Sequence, residues 1–130
     1  MSAEPAPDVE FFPLPAGLRL PFSEAVRVGS MLYLSGQMGT DGSGKLVPGG
    51  IEAETRQILA NVRTVLERHG SSMDRVVKCL VMLADMQDWP AMNAVYLEHF
   101  HAPLPARSAF GASGLALGGR IEMECIATIG

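Results

Sequence analysis

The chain has 130 residues, 48% hydrophobic and 18% charged, with ten Lys and Arg against fourteen Asp and Glu for a formal net charge of −4. That length suits one domain with a real core, and the scattered cations form no basic stripe, which argues against nucleic acid as the main partner. The start "MSAEPAPDVEFF" lacks the basic and apolar regions of a secretory signal, and no apolar run is long enough to span a bilayer. Cys79 and Cys125 each sit inside an apolar run, as reduced buried thiols would, so a cytoplasmic protein with no membrane partner is expected.

The first ten or so residues, rich in Pro and Ala, are predicted to be flexible. "VEFFPLP" reads as a short edge strand ended by Pro13 and Pro15. "SEAVRV" and "MLYLSG" are two extended runs, and Gly29-Ser30 between them reads as a tight hairpin turn. The stretch from Thr40 to Gly50, "TDGSGKLVPGG", is loop by composition.

A helix follows. Ile58, Leu59, Val62, Val65 and Leu66 recur on one helical face. Glu52 and Glu54 lie near its start and Arg68 and His69 at its end, as the helix dipole favours, and Gly70 suits the stop. "RVVKCLVMLAD" (Arg75 to Asp85) is nearly all apolar. Val77, Cys79, Val81 and Leu83 alternate with Val76, Leu80 and Met82, which predicts a central strand apolar on both sides.

Asp88 is placed to cap a second helix, with Pro90 in its first turn and Trp89, Met92, Tyr96 and Phe100 on its buried face. "ARSAFGAS" and "RIEMECIA" read as two final strands. The order predicts an α+β fold, a sheet with two helices packed on one face. The other sheet face must be polar or covered in an oligomer, and the doubly apolar strand favours the oligomer.

Three weak motifs do not carry chemistry. "GTDGSGKL" nearly matches the phosphate-binding loop, but Leu46 replaces the metal-binding hydroxyl and "VPGG" follows where a helix must start. "GASG" is one residue short of a nucleophile elbow and has no Ser-His-Asp order to support it. His69, His99 and His101 have no Cys or Asp at ligand spacing, so no metal site is expected.

"RIEMEC" and "PLPARSAFG" are more informative. Strand alternation puts Arg120, Glu122 and Glu124 on one face and Ile121, Met123 and Cys125 on the other. Arg107 brings a permanent cation into a run of small and apolar residues with no acid nearby in sequence. Its planar fork suits bidentate capture of a carboxylate. It equally suits a salt bridge to Glu122 or Glu124 within the sheet, and the residues alone leave both readings open.

"YLSGQMG", "DWPAMNAVYLEHF", "PARSAFG" and "RIEMECIA" together resemble, in order and spacing, the signature segments of the Rid family, the reactive intermediate deaminases, also called the YjgF family. The resemblance runs from about Leu20 to Ala127. It implies a chorismate-mutase-like α+β fold, a homotrimer with a barrel-like core and three inter-subunit clefts. The implied activity is hydrolysis of 2-imino acids such as 2-iminopropanoate and 2-iminobutanoate to 2-keto acids and ammonia, with no metal or organic cofactor.

Carried over residue by residue, the family's carboxylate-binding arginine falls on Arg107 and its water-activating glutamate on Glu122. Its Ser-Gly segment falls on Ser35 and Gly36, its second-helix asparagine on Asn93, and its cleft-mouth aromatic on Phe22. The position two after the arginine is Ala109. Phe22 lacks the hydroxyl of the family's usual tyrosine and Ala109 lacks the thiol often found there, so the implied preference shifts toward a larger or more apolar imine. Two other readings compete: a regulatory trimer that binds small carboxylates without turnover, and an endoribonuclease or translation inhibitor, which the acidic balance disfavours.

Overall fold

The computed structural model describes residues 8–130. Strands β1 (Val9–Phe12), β2 (Ala25–Val28), β3 (Met31–Leu34) and β4 (Gln37–Met38) precede helix α1 (Gly50–Arg68). Strand β5 (Val76–Leu83), helix α2 (Trp89–His99), β6 (Ala106–Gly111) and β7 (Ile121–Thr128) complete the chain. Val9 and Glu10, at the end of the segment expected to be flexible, belong to β1 and pair with Val28 and Arg27, as the edge-strand reading of "VEFFPLP" expects; residues 1–7 of that expectation lie outside the described residues.

All described strands join one sheet in the order β1-β2-β3-β7-β5-β6, with β4 also paired to β7. Neighbours are antiparallel except β5 and β6, which run parallel across the α2 connection. Both helices cover one face, as the element order predicts: α1 packs on α2 and on β7. Gly29 turns the β2–β3 hairpin with a positive φ of 59°, and Gly70 stops α1 with a φ of 81°, conformations that glycine takes without steric cost.

The core lies between the helices and the sheet. Ile58, Leu59, Val62 and Leu66 of α1 meet Cys79, Val81 and Leu83 of β5 and Ile121, Met123 and Cys125 of β7, all nearly inaccessible to solvent. Cys79 and Cys125 are direct cross-strand partners, free and buried, with their sulfurs 3.4 Å apart.

The alternation expected of β5 needs one correction. The register shifts between Val76, opposite Ala127, and Lys78, opposite Ile126. This bulge turns Val76 inward beside Cys79 and leaves Val77 outside at 42% exposure. Beyond it, Leu80 and Met82 lie on the helix-free face and are only half-buried.

Register rows across the sheet place Phe11, Tyr33 and Ile126, and separately Phe110, Met82 and Glu122, on that same helix-free face. Phe11, Tyr33 and Phe110 are 67%, 43% and 45% exposed, so one chain leaves a broad aromatic and aliphatic surface in water. Among the described residues, no helix is long and apolar enough to cross a membrane.

Candidate active site

Arg107 stands on β6 directly beside Cys79 of β5, so its side chain turns toward the helices. There its guanidinium carbon lies 5.4 Å from the ring centre of Trp89 and 4.7 Å from that of Tyr96. Both distances are within cation–π range. One of its terminal nitrogens faces the Met92 sulfur at 3.9 Å. Trp89, Met92 and Tyr96 recur at helical spacing, so α2 presents them as one stripe against the cation.

No carboxylate pairs with Arg107 among the described residues. The salt-bridge reading is thereby corrected. Glu122 pairs with Met82 and Glu124 with Leu80, positions that face away from the helices, whereas Arg107 shares its face with Cys79. The sheet itself separates the two charges.

Asn93 lies on the same part of α2, half-buried and with no side-chain hydrogen bond among the described residues. Ala109, two residues beyond Arg107, shares its face and packs against the core. Periodicity assigned Trp89 and Tyr96 to ordinary core packing. The missed signal was an arginine on a strand whose inward-facing neighbours are apolar: such a cation needs aromatic faces if no anion is near.

Glu122 belongs to a second cluster, on the opposite face. β4 lies alongside the start of β7, with Met38 opposite Glu122. This brings Gly36 so close that a Cβ there would overlap a Glu122 carboxylate oxygen and lie 3.1 Å from its Cδ. Glycine is therefore what lets this carboxylate lie against the backbone. Burial, and then the neighbouring charge of Glu124, holds the Glu122 carboxyl above its ordinary value.

Ser35 connects this cluster to the segment before the hairpin. Its hydroxyl donates to the Ser23 carbonyl at 2.6 Å and its backbone N–H donates to the Glu24 carbonyl at 3.1 Å. The hydroxyl's donor is thus engaged in fixing the segment just before β2. Phe22 itself remains 48% exposed.

One polar network connects the elements that carry the two clusters. Arg120, two residues before Glu122, donates from its Nε and one terminal nitrogen to the two Asp88 oxygens at 3.0 and 3.2 Å. Its backbone N–H donates at 2.9 Å to the buried Glu54 carboxylate of α1. The Asp88 expectation is corrected here: it occupies the position before α2 but its side chain makes no cap bond, because Arg120 holds both oxygens.

The loop resembling a phosphate cradle is also accounted for. Asp41 accepts from the Ser43 N–H, the Ser43 hydroxyl and the Lys45 N–H, which places a carboxylate where a phosphate would have to sit. A cavity of about 580 Å³ opens between that loop, the Pro15–Leu18 segment and α1, bordered by Glu24, Asn61 and Arg68; neither Arg107 nor Glu122 lines it. Glu24 is buried and satisfied by Arg68 and by His69 Nε2 at 2.7 Å, while the His69 ring stacks on Phe12. Among the described residues no group of His, Cys, Asp or Glu is arranged to hold a metal ion.

These two clusters lie within a chain that a family model described as Endoribonuclease L-PSP matches over residues 16–129. The chain belongs to the Rid family. It is 45% identical over 111 residues to the 2-iminobutanoate/2-iminopropanoate deaminase of Capra hircus, covering 85% of this chain and 81% of that one. The human protein of the same name is 41% identical over the same length, again 85% of this chain and 81% of that one. The Arabidopsis thaliana Reactive Intermediate Deaminase A, a chloroplastic protein, is 40% identical over 84% of this chain and 59% of its own. Among solved structures, RidA from an Antarctic Psychrobacter superposes with a TM-score of 0.82 at 33% identity, covering 97% of this chain and all of that one. The expected α+β Rid fold, with a mixed sheet and two helices on one face, is the fold observed.

Proposed function

We propose that this Rid-family chain hydrolyses 2-imino acids to 2-keto acids and ammonia in clefts between the subunits of a homotrimer. The observation that carries the reading is Arg107: a guanidinium held by aromatic faces, with no anion among the described residues to satisfy it. A substrate carboxylate is the partner its fork matches. The names of the curated relatives supply the substrate class, 2-iminobutanoate and 2-iminopropanoate.

In this reading Arg107, with Asn93 and Ala109 beside it, binds and orients the carboxylate end of the substrate. Glu122 of a neighbouring subunit, with Ser35, Gly36 and Phe22, forms the other wall. The placement of Arg107 and Glu122 on opposite faces of one chain's sheet supports a split between subunits. The exposed Phe11, Tyr33 and Phe110 surface gives a trimer an apolar area to bury.

The chemistry then needs little machinery. Glu122 accepts a proton from water as its oxygen attacks the C=N carbon. Glu122 returns that proton to nitrogen, giving the carbinolamine; it then takes the carbinolamine hydroxyl proton and delivers it to the amine as the C–N bond breaks, so the C=O bond forms and ammonia leaves. A carboxyl held above its ordinary value is a better proton acceptor near neutral pH than an exposed one. Orientation by Arg107 contributes as an entropy trap. No step requires a metal or an organic cofactor. Phe22 and Ala109 line an apolar pocket and favour a larger or more apolar imine.

Subunit mixing tests this directly. Arg107→Ala and Glu122→Gln proteins are each expected to be inactive, and co-refolded mixtures to regain a fraction of activity, because some clefts combine an intact Arg107 with an intact Glu122. Mixtures as inactive as either parent would reject the shared cleft. If Arg107→Ala abolishes carboxylate binding while Glu122→Gln leaves the wild-type behaviour intact, the binding-only trimer is the better account. The family model's description keeps an endoribonuclease in view; RNA cleavage that disappears in Arg107→Ala would support it.

A further inference from the structure

We infer that Trp89 and Tyr96 are positioning residues: an aromatic shelf that holds the Arg107 guanidinium in place with donors left for a carboxylate. The inference rests on the carboxylate-binding role of Arg107 and adds residues whose work is to preorganise it.

An unpaired arginine on a strand would ordinarily sample many rotamers, and ordering it on binding weakens affinity. Here the cation lies over two rings of one helix stripe, at 5.4 and 4.7 Å, with the Met92 sulfur against one nitrogen. Each ring contributes through its face, which leaves the in-plane N–H donors other than the one directed at the Met92 sulfur to the ligand. The shelf is itself anchored. Asp88, the residue before Trp89, is gripped by both oxygens through Arg120, and Arg120 is tied to buried Glu54.

Tyr96 acts here through its ring and not its hydroxyl. The hydroxyl is buried and has no hydrogen-bond partner among the described residues. Burial, with the Cys79 thiol beside it, pushes the phenol far above its ordinary range, so it stays neutral. A buried hydroxyl without a partner is unfavourable for folding, which fits a residue kept for its aromatic face.

The chain has a single tryptophan, so its emission reports on this shelf alone. The test titrates the full-length protein with 2-oxobutanoate, a stable 2-keto acid carboxylate, and follows Trp89 emission. A saturable change is expected in the wild type and none in Arg107→Ala. Steady-state imine hydrolysis is then compared across variants. Trp89→Leu and Tyr96→Leu should raise KM by about five- to thirty-fold with a much smaller change in kcat. Trp89→Phe and Tyr96→Phe should keep KM within about twofold, since each restores a ring.

A Trp89→Leu or Tyr96→Leu protein with wild-type KM overturns the shelf, and so does a Tyr96→Phe protein with the KM of Tyr96→Leu. Should a leucine variant fail to fold, the phenylalanine variants and the wild-type titration still decide. Emission that ignores 2-oxobutanoate at concentrations that inhibit turnover also overturns it. If emission responds to the carboxylate but no imine is hydrolysed, the shelf stands and the deaminase reading falls.

Discussion

Gly36→Ala separates the placement of Glu122 from the stability of the fold. The added Cβ would overlap a Glu122 carboxylate oxygen and lie 3.1 Å from Cδ and 3.4 Å from Cγ. Ordinary non-bonded separations are about 3.5 Å or more, so the carboxylate must retreat by roughly 1 Å. The obstructing atoms are the far end of a flexible side chain, and Gly36 is not among the positive-φ glycines. The fold therefore tolerates the methyl, and the expected fall in Tm is only a few degrees. A misplacement of about 1 Å in a catalytic group costs on the order of a hundredfold.

Imine hydrolysis should thus lose about two orders of magnitude in kcat. KM, which the proposed grip of Arg107 on the substrate carboxylate would set, should hardly move. The assay generates 2-imino acids with an amino-acid oxidase and measures how far the protein suppresses semicarbazone formation. Adding Glu122→Gln to Gly36→Ala should cost little more, because both act on one group. Wild-type kcat in Gly36→Ala would refute the argument that this glycine exists to admit the carboxylate.

The acid limb of kcat/KM should lie above the ordinary carboxylate range, because burial and Glu124 both hold the Glu122 proton; Glu124→Gln should move that limb to lower pH, and an unmoved profile would contradict the assignment. The same shift has a stability consequence. Native Glu122 holds its proton more tightly than the unfolded chain does, so stability falls as pH rises through the raised value. Glu122→Gln should therefore melt higher than wild type at pH 7, with the gain gone below the ordinary carboxylate value. Gly39→Ala should be destabilising by about 1–3 kcal/mol in urea denaturation, since its Cβ would meet the Glu54 backbone of α1 at 2.9 Å and backbone cannot swing aside. Glu24→Ala should cost about 3 kcal/mol, leaving His69 and Arg68 without their buried anion; a Tm equal to wild type would show the cluster to be dispensable.

Much of the fold was legible because it is written in local periodicity. The Ile58-to-Leu66 stripe, the Gly29 turn and the alternation of "RIEMEC" each depend on a few adjacent residues, and each is found as expected. What local pattern could not give was register. The Val76–Lys78 bulge inverts two valines because β7 is paired one residue out of step, which is a fact about another strand. The candidate site divides the same way. Arg107 and Glu122 were recognisable as unusual charges, but their placement on opposite faces depends on how three strands align. Trp89 and Tyr96 looked like core residues because an aromatic packed on leucine and an aromatic packed on a guanidinium have the same spacing. Asp88 looked like a cap because its rival partner, Arg120, lies 32 residues away.

Turnover of 2-imino acids through Arg107 and Glu122 is what is proposed for this chain. The most direct measurement is semicarbazone suppression by wild type, Arg107→Ala and Glu122→Gln, with imines generated from several amino acids. The account predicts suppression by the wild type, loss of it in both variants, and retained trimer mass in all three. Undiminished suppression in either variant, or none by the wild type with any amino acid, would contradict it.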